Sequence, residues 1–333
     1  MKVLVTGGAG FIGSNLCERL VQEDYEVICL DNFITGKREN IKGLFDKENF
    51  SLIEGDIRDY ETCLKATNGI DIVLHEAALG SVPRSIENPL LTHQCNVDGF
   101  VNMLNASREN NVERFIYASS SSVYGDSEVL PRVEDKIGNP LSPYAVTKLT
   151  NELYANNFAR VYGMKVIGFR YFNVFGKNQD PDSPYAAVIP RFIKALLNGQ
   201  SPVIYGDGET TRDFCYVDNV VEANLLAMKT DNLEAFGKVY NVGIGEQTSL
   251  NELFMLIKTS LINIYEGNGR LEDVLKLKLI EPKYAAFRKG DVRHSLACIE
   301  KCKKNLAYCP KVRLGTGIYY TCWNYYIDGD AET

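Results

Sequence analysis

Through the first half of the chain, short runs of β-branched and aliphatic residues alternate with amphipathic stretches. The runs are KVLVT, EVICL, SLIEG, DIVLHEAA and RFIYASS. Between them, segments such as SNLCERLVQE and VDGFVNMLNASRENN place apolar residues at helical spacing. Repeated strand-helix-strand units predict an α/β fold in which a doubly wound parallel sheet carries helices on both faces.

Beyond Phe169 the pattern loosens into the turn-rich loops GKNQDPDSP, YGDGETTRD and VGIGEQTS. They predict a smaller, mixed α/β lobe that closes over a ligand at the carboxyl ends of the strands. YVDNVVEANLLAM and KVYNVG resume the earlier pattern, so one domain is expected over 1–168 plus about 213–243 and the other over about 169–212 plus 244–333. The tail IYYTCWNYYIDGDAET reads as an aromatic helix with a frayed end.

Composition narrows the partners. Among 333 residues, 43 acidic side chains outnumber 36 basic ones, and no basic cluster suited to a phosphate backbone is present, which argues against nucleic acid. The nine cysteines have no Cys-x-x-Cys pair and no His at zinc-binding distance. They read as reduced thiols, with no metal expected. MKVLVTGG reads as a strand rather than a signal peptide, and no apolar run reaches the roughly 18 residues of a membrane helix. The expectation is a cytoplasmic protein without membrane contact.

The first strand leads into TGGAGFIGS, with Gly7, Gly10 and Gly13 where strand turns into helix and Phe11 and Ile12 between them. Glycines there let backbone approach a pyrophosphate at a helix N-terminus, the signature of a Rossmann-type dinucleotide fold. The second strand ends in Asp31, eighteen residues past Gly13, followed by Asn32. A carboxylate there accepts from both adenosine ribose hydroxyls and repels a 2′-phosphate, so NAD is expected as cofactor rather than NADP. Asp56 and Ile57, closing the third strand, are candidates for the adenine end, and Ala77 follows the fourth strand.

SPYAVTKLTNEL places Tyr144 and Lys148 four residues apart on one face of a long helix. A phenol is a poor base at neutral pH, and a neighbouring ammonium is expected to lower its pKa so that Tyr144 takes and returns a proton.

With these motifs in order, the chain resembles the extended short-chain dehydrogenase/reductases, and among them the nucleotide-sugar 4-epimerases. TGGAGFIGS, GDIRD, HEAA, SSVYG, YAVTK, FRYFNVFG, GDGETTRDF and RKGDVRHS all follow the family's order and spacing. The resemblance implies oxidation of the sugar's C4 by NAD, rotation of the 4-keto sugar and reduction from the other face. It implies that Lys148 also binds the nicotinamide ribose, that Asn96 lies near the nicotinamide or else bonds only backbone, and that the protein is a homodimer pairing through a bundle containing the Tyr144 helix. It assigns Ser120 as the hydroxyl that bonds the 4-oxygen and leaves Ser119 to end the strand. Ser121 and Ser122 stand where related 4,6-dehydratases carry an Asp-Glu pair, and serine has no accessible pKa for elimination chemistry. Phe172 and Asn173, with Arg212 and Arg288, match the segments that hold the substrate's phosphates, and Asp291 matches the carboxylate on the uridine ribose.

Ser295 matches the wall position that is a bulky Tyr in epimerases confined to plain hexoses. A serine leaves room for an acetamido group. ALGSVPRSIENP, with Ser81, Val82 and Arg84, resembles the UDP-N-acetylglucosamine 4-epimerase subgroup, although Arg84 suits a uronate carboxylate equally well. The resemblance therefore implies C4 epimerisation of UDP-GlcNAc and UDP-GalNAc, and secondarily of UDP-glucose and UDP-galactose. UDP-hexuronic or N-acetylhexosaminuronic acids are the alternative, and a non-catalytic NAD-binding regulator the remote one.

Overall fold

Seven parallel strands form one sheet, and their burial explains why the apolar runs are continuous rather than alternating. In the computed structural model, which describes residues 1–287 and 292–331, the first six are β1 (Lys2–Thr6), β2 (Glu26–Asp31), β3 (Phe50–Glu54), β4 (Ile72–His75), β5 (Arg114–Ser120) and β6 (Lys165–Tyr171). The Lys238–Val242 strand lies at one edge, and the order across the sheet is Lys238–Val242, β6, β5, β4, β1, β2, β3. Successive side chains feed opposite cores: Val3 and Val5 pack on one face and Leu4 on the other; Ile72 and Leu74 oppose Val73. Strand order reverses between β1 and β4, which opens a crevice at their carboxyl ends.

The glycine loop leads from β1 into the Phe11–Gln22 helix. The Pro143–Tyr162 helix is bounded by local chemistry: Ser142 Oγ accepts from Ala145 N at 3.1 Å, Pro143 fits the first turn, and Gly163 ends the helix at φ +70°. Beyond β6 the chain forms short pairs, Val174–Phe175 with Cys215–Tyr216 and Val203–Tyr205 with Lys283–Ala285. It then returns through the Val217–Lys229 helix to the edge strand. The aromatic tail is helical over Leu314–Ala331.

Local differences from expectation bear on the site. β3 ends at Glu54, so Asp56 lies in the following loop rather than on the strand. Asn96 lies in a π-helical turn, Gln94–Asp98, ahead of the Gly99–Glu109 helix. Among the described residues, no helix is long and apolar enough to cross a membrane, and no group of three or more His, Cys, Asp or Glu could hold a metal ion. All nine cysteines are free.

Candidate active site

A cavity of about 470 Å³ occupies the crevice. Every cofactor-side residue singled out in the sequence lines it except Asn96: Gly7, Gly10, Phe11, Ile12, Gly13, Asp31, Asn32, Asp56, Ile57, Ala77, Tyr144 and Lys148. The turn tolerates only glycine at two points. Gly7 has φ +66° and a side chain there would come within 2.8 Å of Ala77 backbone, while one on Gly13 would meet Gly7 O at 2.1 Å. Backbone thus forms the wall on which a pyrophosphate would rest.

Asp31 is buried and accepts from Ala9 N at 2.9 Å and Phe33 N at 2.8 Å, which aims its carboxylate into the cavity. Burial raises its pKa against these hydrogen bonds. Asp56 is gripped by Arg58 at 2.6 Å and accepts from Asn32 Nδ2 at 2.8 Å, and the Arg58 bond holds its pKa down at about 2. These features fit a dinucleotide: a backbone cradle, a fixed carboxylate at one end and a cavity of suitable size.

Asn96 does not reach the cavity. It is buried, its Oδ1 accepts from Leu79 N at 2.7 Å, and its Nδ2 donates to Leu79 O and Thr147 Oγ1, each at 3.2 Å. Its amide is committed to bracing the loop after β4 against the Tyr144 helix. Its bonds to Leu79 are with backbone, as one of the two expectations has it, but its bond to Thr147 is with a side chain.

Tyr144 and Lys148 share a face of their helix as the spacing predicts, with Lys148 Nζ 5.9 Å from the Tyr144 ring centre. Nζ donates to Ala118 O at 2.8 Å. The expected depression of the phenol is not found in this arrangement. Burial pushes the Tyr144 pKa up, the Ser120 hydrogen bond pulls it down, and the charge of Glu76 adds to the rise. Lys148 is itself drawn down to about 8 by burial, against the opposing charges of Glu76 and Glu152. Ser120 Oγ also accepts from Ser122 N at 3.1 Å. Ser119 does more than end the strand, because its hydroxyl donates to Glu152, which forms a buried pair with Arg170 at 2.8 Å.

A second cavity of about 870 Å³ adjoins the first. The two share Ser81, Ser120, Tyr144 and Val174, so the phenol and the serine stand where the cavities meet. Ser121, Ser122, Asn173, Arg212 and Ser295 line the second cavity, as does Val82. Asn173 takes φ +31° and donates through Nδ2 to Asp213 O at 2.9 Å, while Phe172 beside it is fully buried. Arg212 Nη1 donates to Thr211 O at 2.8 Å. Arg84 is not among the lining residues. Its guanidinium lies 4.8 Å from the centre of the Tyr185 ring, which itself lines the second cavity. Arg288 and Asp291 lie outside the described residues.

Among the lining residues that the sequence does not single out are Glu76 and Tyr171 in the first cavity and Arg132 in the second. Glu76 and Tyr171 lie within HEAA and FRYFNVFG, and Arg132 stands in a loop without a motif.

Comparison with known proteins agrees with this geometry. The family described as the NAD dependent epimerase/dehydratase family matches residues 3–243. A UDP-N-acetylglucosamine 4-epimerase from Methanobrevibacter ruminantium M1, solved with UDP-N-acetylmuramic acid, is 39% identical with a TM-score of 0.88, covering 98% of each chain. A UDP-glucose 4-epimerase from Mycolicibacterium smegmatis is 35% identical over 96% of this chain and 97% of its own. A UDP-glucuronic acid 4-epimerase from Bacillus cereus, solved with NAD and a fluorinated UDP-glucuronic acid, is 31% identical with a TM-score of 0.85, covering 98% of this chain and 99% of its own.

Proposed function

The chain belongs to the NAD-dependent epimerase/dehydratase family and is an NAD-dependent UDP-sugar 4-epimerase; from that premise we propose that it interconverts UDP-N-acetylglucosamine and UDP-N-acetylgalactosamine, with UDP-glucose and UDP-galactose as secondary substrates. The observation that carries this choice is Ser295, a small side chain on the wall of the larger cavity. A phenol at that position would fill the space an acetamido group needs.

Bound NAD supplies the hydride acceptor and donor for the sugar's C4. The chain's own groups orient the sugar and move the proton. Tyr144 takes the proton from the 4-hydroxyl as that carbon is oxidised, and returns it when the carbon is reduced from its other face. Ser120 bonds the 4-oxygen through both states, and Lys148 would hold the nicotinamide ribose. Gly7, Gly10 and Gly13 would hold the pyrophosphate, and Asp31 the adenosine ribose. Asn173 and Arg212 would take the substrate's phosphates, together with Arg288, while Asp291 would take its uridine ribose. Ser121 and Ser122 supply no acid-base pair for elimination, which supports simple epimerisation.

A second reading, a 4-epimerase of UDP-hexuronic or N-acetylhexosaminuronic acids, is favoured by Arg132. Arg132 as a residue is 4% exposed, lines the sugar cavity and hydrogen-bonds Ser127 O, with no carboxylate in ion-pair range among the described residues. A uronate would supply that partner.

Two further observations support the rest of the reading. Val146, Leu153, Tyr154 and Val161 form an exposed stripe at heptad spacing on the Tyr144 helix, suited to pairing in a homodimer. Nine unpaired cysteines suit a reducing cytoplasm.

The test is to incubate the purified protein with UDP-GlcNAc, without added NAD, and follow UDP-GalNAc by NMR. Its appearance is expected. Turnover confined to UDP-uronic acids would replace the first reading with the second, and a monomeric mass for the same active preparation would remove the homodimer.

A further inference from the structure

Glu76 is a carboxyl that the reaction as described does not use. It follows β4 directly, lines the cofactor-side cavity together with Tyr144, Lys148 and Tyr171, and accepts from the Tyr171 hydroxyl at 2.8 Å. Tyr171 is in turn held by Asn224 Nδ2 at 2.9 Å, from a helix otherwise remote from the site. A side chain anchored by a tyrosine and an asparagine in series is fixed in place, and a fixed charge beside low-dielectric protein acts more strongly on its neighbours than one in bulk water.

We propose that Glu76 is a positioning residue that sets the charge balance of the Tyr144–Lys148 pair: ionised, it keeps the Lys148 ammonium charged and opposes formation of the Tyr144 phenolate, so that the phenol can return its proton as readily as it takes one. The inference rests on the reading of Tyr144 as the proton carrier. A reversible epimerase needs such balance, because a phenolate stabilised too far becomes a poor acid on the return step.

The charged and titratable groups around Glu76 are few. The Pro143–Tyr162 helix contributes Lys148 and Tyr144, with Glu152 acting on Lys148 one turn further on; β6 contributes Tyr171. His75, the preceding residue, is buried on the other face of the strand, bonded to Thr6 Oγ1, and burial keeps it neutral with a pKa of about 3. Burial pushes the Glu76 pKa up to about 7, against the Tyr171 hydrogen bond and the charge of Lys148. The carboxyl therefore changes charge near neutral pH, and its charge raises the pKa of both Tyr144 and Lys148.

Glu76→Gln keeps the acceptor for Tyr171 and removes the charge; Glu76→Asp keeps the charge and shortens the arm. The phenolate ultraviolet band of the NAD-loaded enzyme is titrated for the parent and each variant, each against the same protein carrying Tyr144→Phe, so that the difference isolates Tyr144. The pH profile of kcat/KM is measured alongside. With Glu76→Gln, the Tyr144 midpoint and the acid limb of kcat/KM both move down by about one pH unit, the lower end of what a nearby charge does. Glu76→Asp stays close to the parent. An unmoved midpoint in Glu76→Gln, or the same displacement in both variants, would reduce Glu76 to a structural prop for Tyr171 and overturn the proposal while leaving Tyr144 in its role. Retained turnover in Tyr144→Phe would instead overturn the reading of Tyr144, and this inference with it.

Discussion

The two cavities that meet at Tyr144 handle their polar groups differently. On the cofactor side, Asp31 is fixed by two backbone N–H groups, Lys148 by a carbonyl and Glu76 by Tyr171. On the sugar side, Ser122 Oγ is buried without a partner, and Arg132 has no carboxylate among the described residues. The charged groups named on the cofactor side are set before anything binds, although Gln179 Oε1 in that cavity is also buried without a partner. The sugar side keeps hydrogen-bonding capacity uncommitted, which a substrate that turns over within the site can use in more than one orientation.

The largest effect is expected at the junction. Tyr144→Phe should lower kcat by about a thousandfold while the protein retains NAD, since it removes the proposed proton carrier and leaves the cradle intact. Stopped activity together with lost cofactor would show that the two halves are not separable at this residue. On the sugar side, Ser295→Tyr should lower turnover of UDP-GalNAc by about a hundredfold relative to UDP-galactose. Equal loss of both would mean that the wall does not discriminate by size.

The smallest effect tests the fixed half. Asp31→Asn replaces one of two acceptor oxygens by a donor that faces a backbone N–H, and should weaken NAD binding about tenfold, measured by calorimetry on the apoprotein. Unchanged affinity would show that the cradle is held by the glycine backbone alone.

What the sequence shows of this site is what lies close together along it. The glycine loop, Asp31 and the Tyr144–Lys148 pair are local patterns on regular elements, and each lines the cavity where the pattern places it. Asn96 was open to two readings because its partners, Leu79 and Thr147, are 17 and 51 residues away. Lys148 was assigned to Tyr144 by helical spacing, yet its hydrogen bond goes across to Ala118 on β5. Glu76 meets Tyr171 over a separation of 95 residues, and Arg132 is positioned by backbone pairing with Leu296 at 2.7 Å. No periodicity in the chain records such pairings.

The edge strand Lys238–Val242 has a consequence for how the protein is made. β6 is complete at Tyr171, but its outer neighbour is encoded 67 residues later, after the whole intervening excursion. While the chain leaves the ribosome, β6 therefore presents a row of unpaired backbone groups, the kind of edge that invites pairing with another nascent chain. Asn224, which steadies Tyr171, also emerges late. The glycine cradle can be synthesised early, but the support behind Glu76 is put in place only after Asn224 has been added.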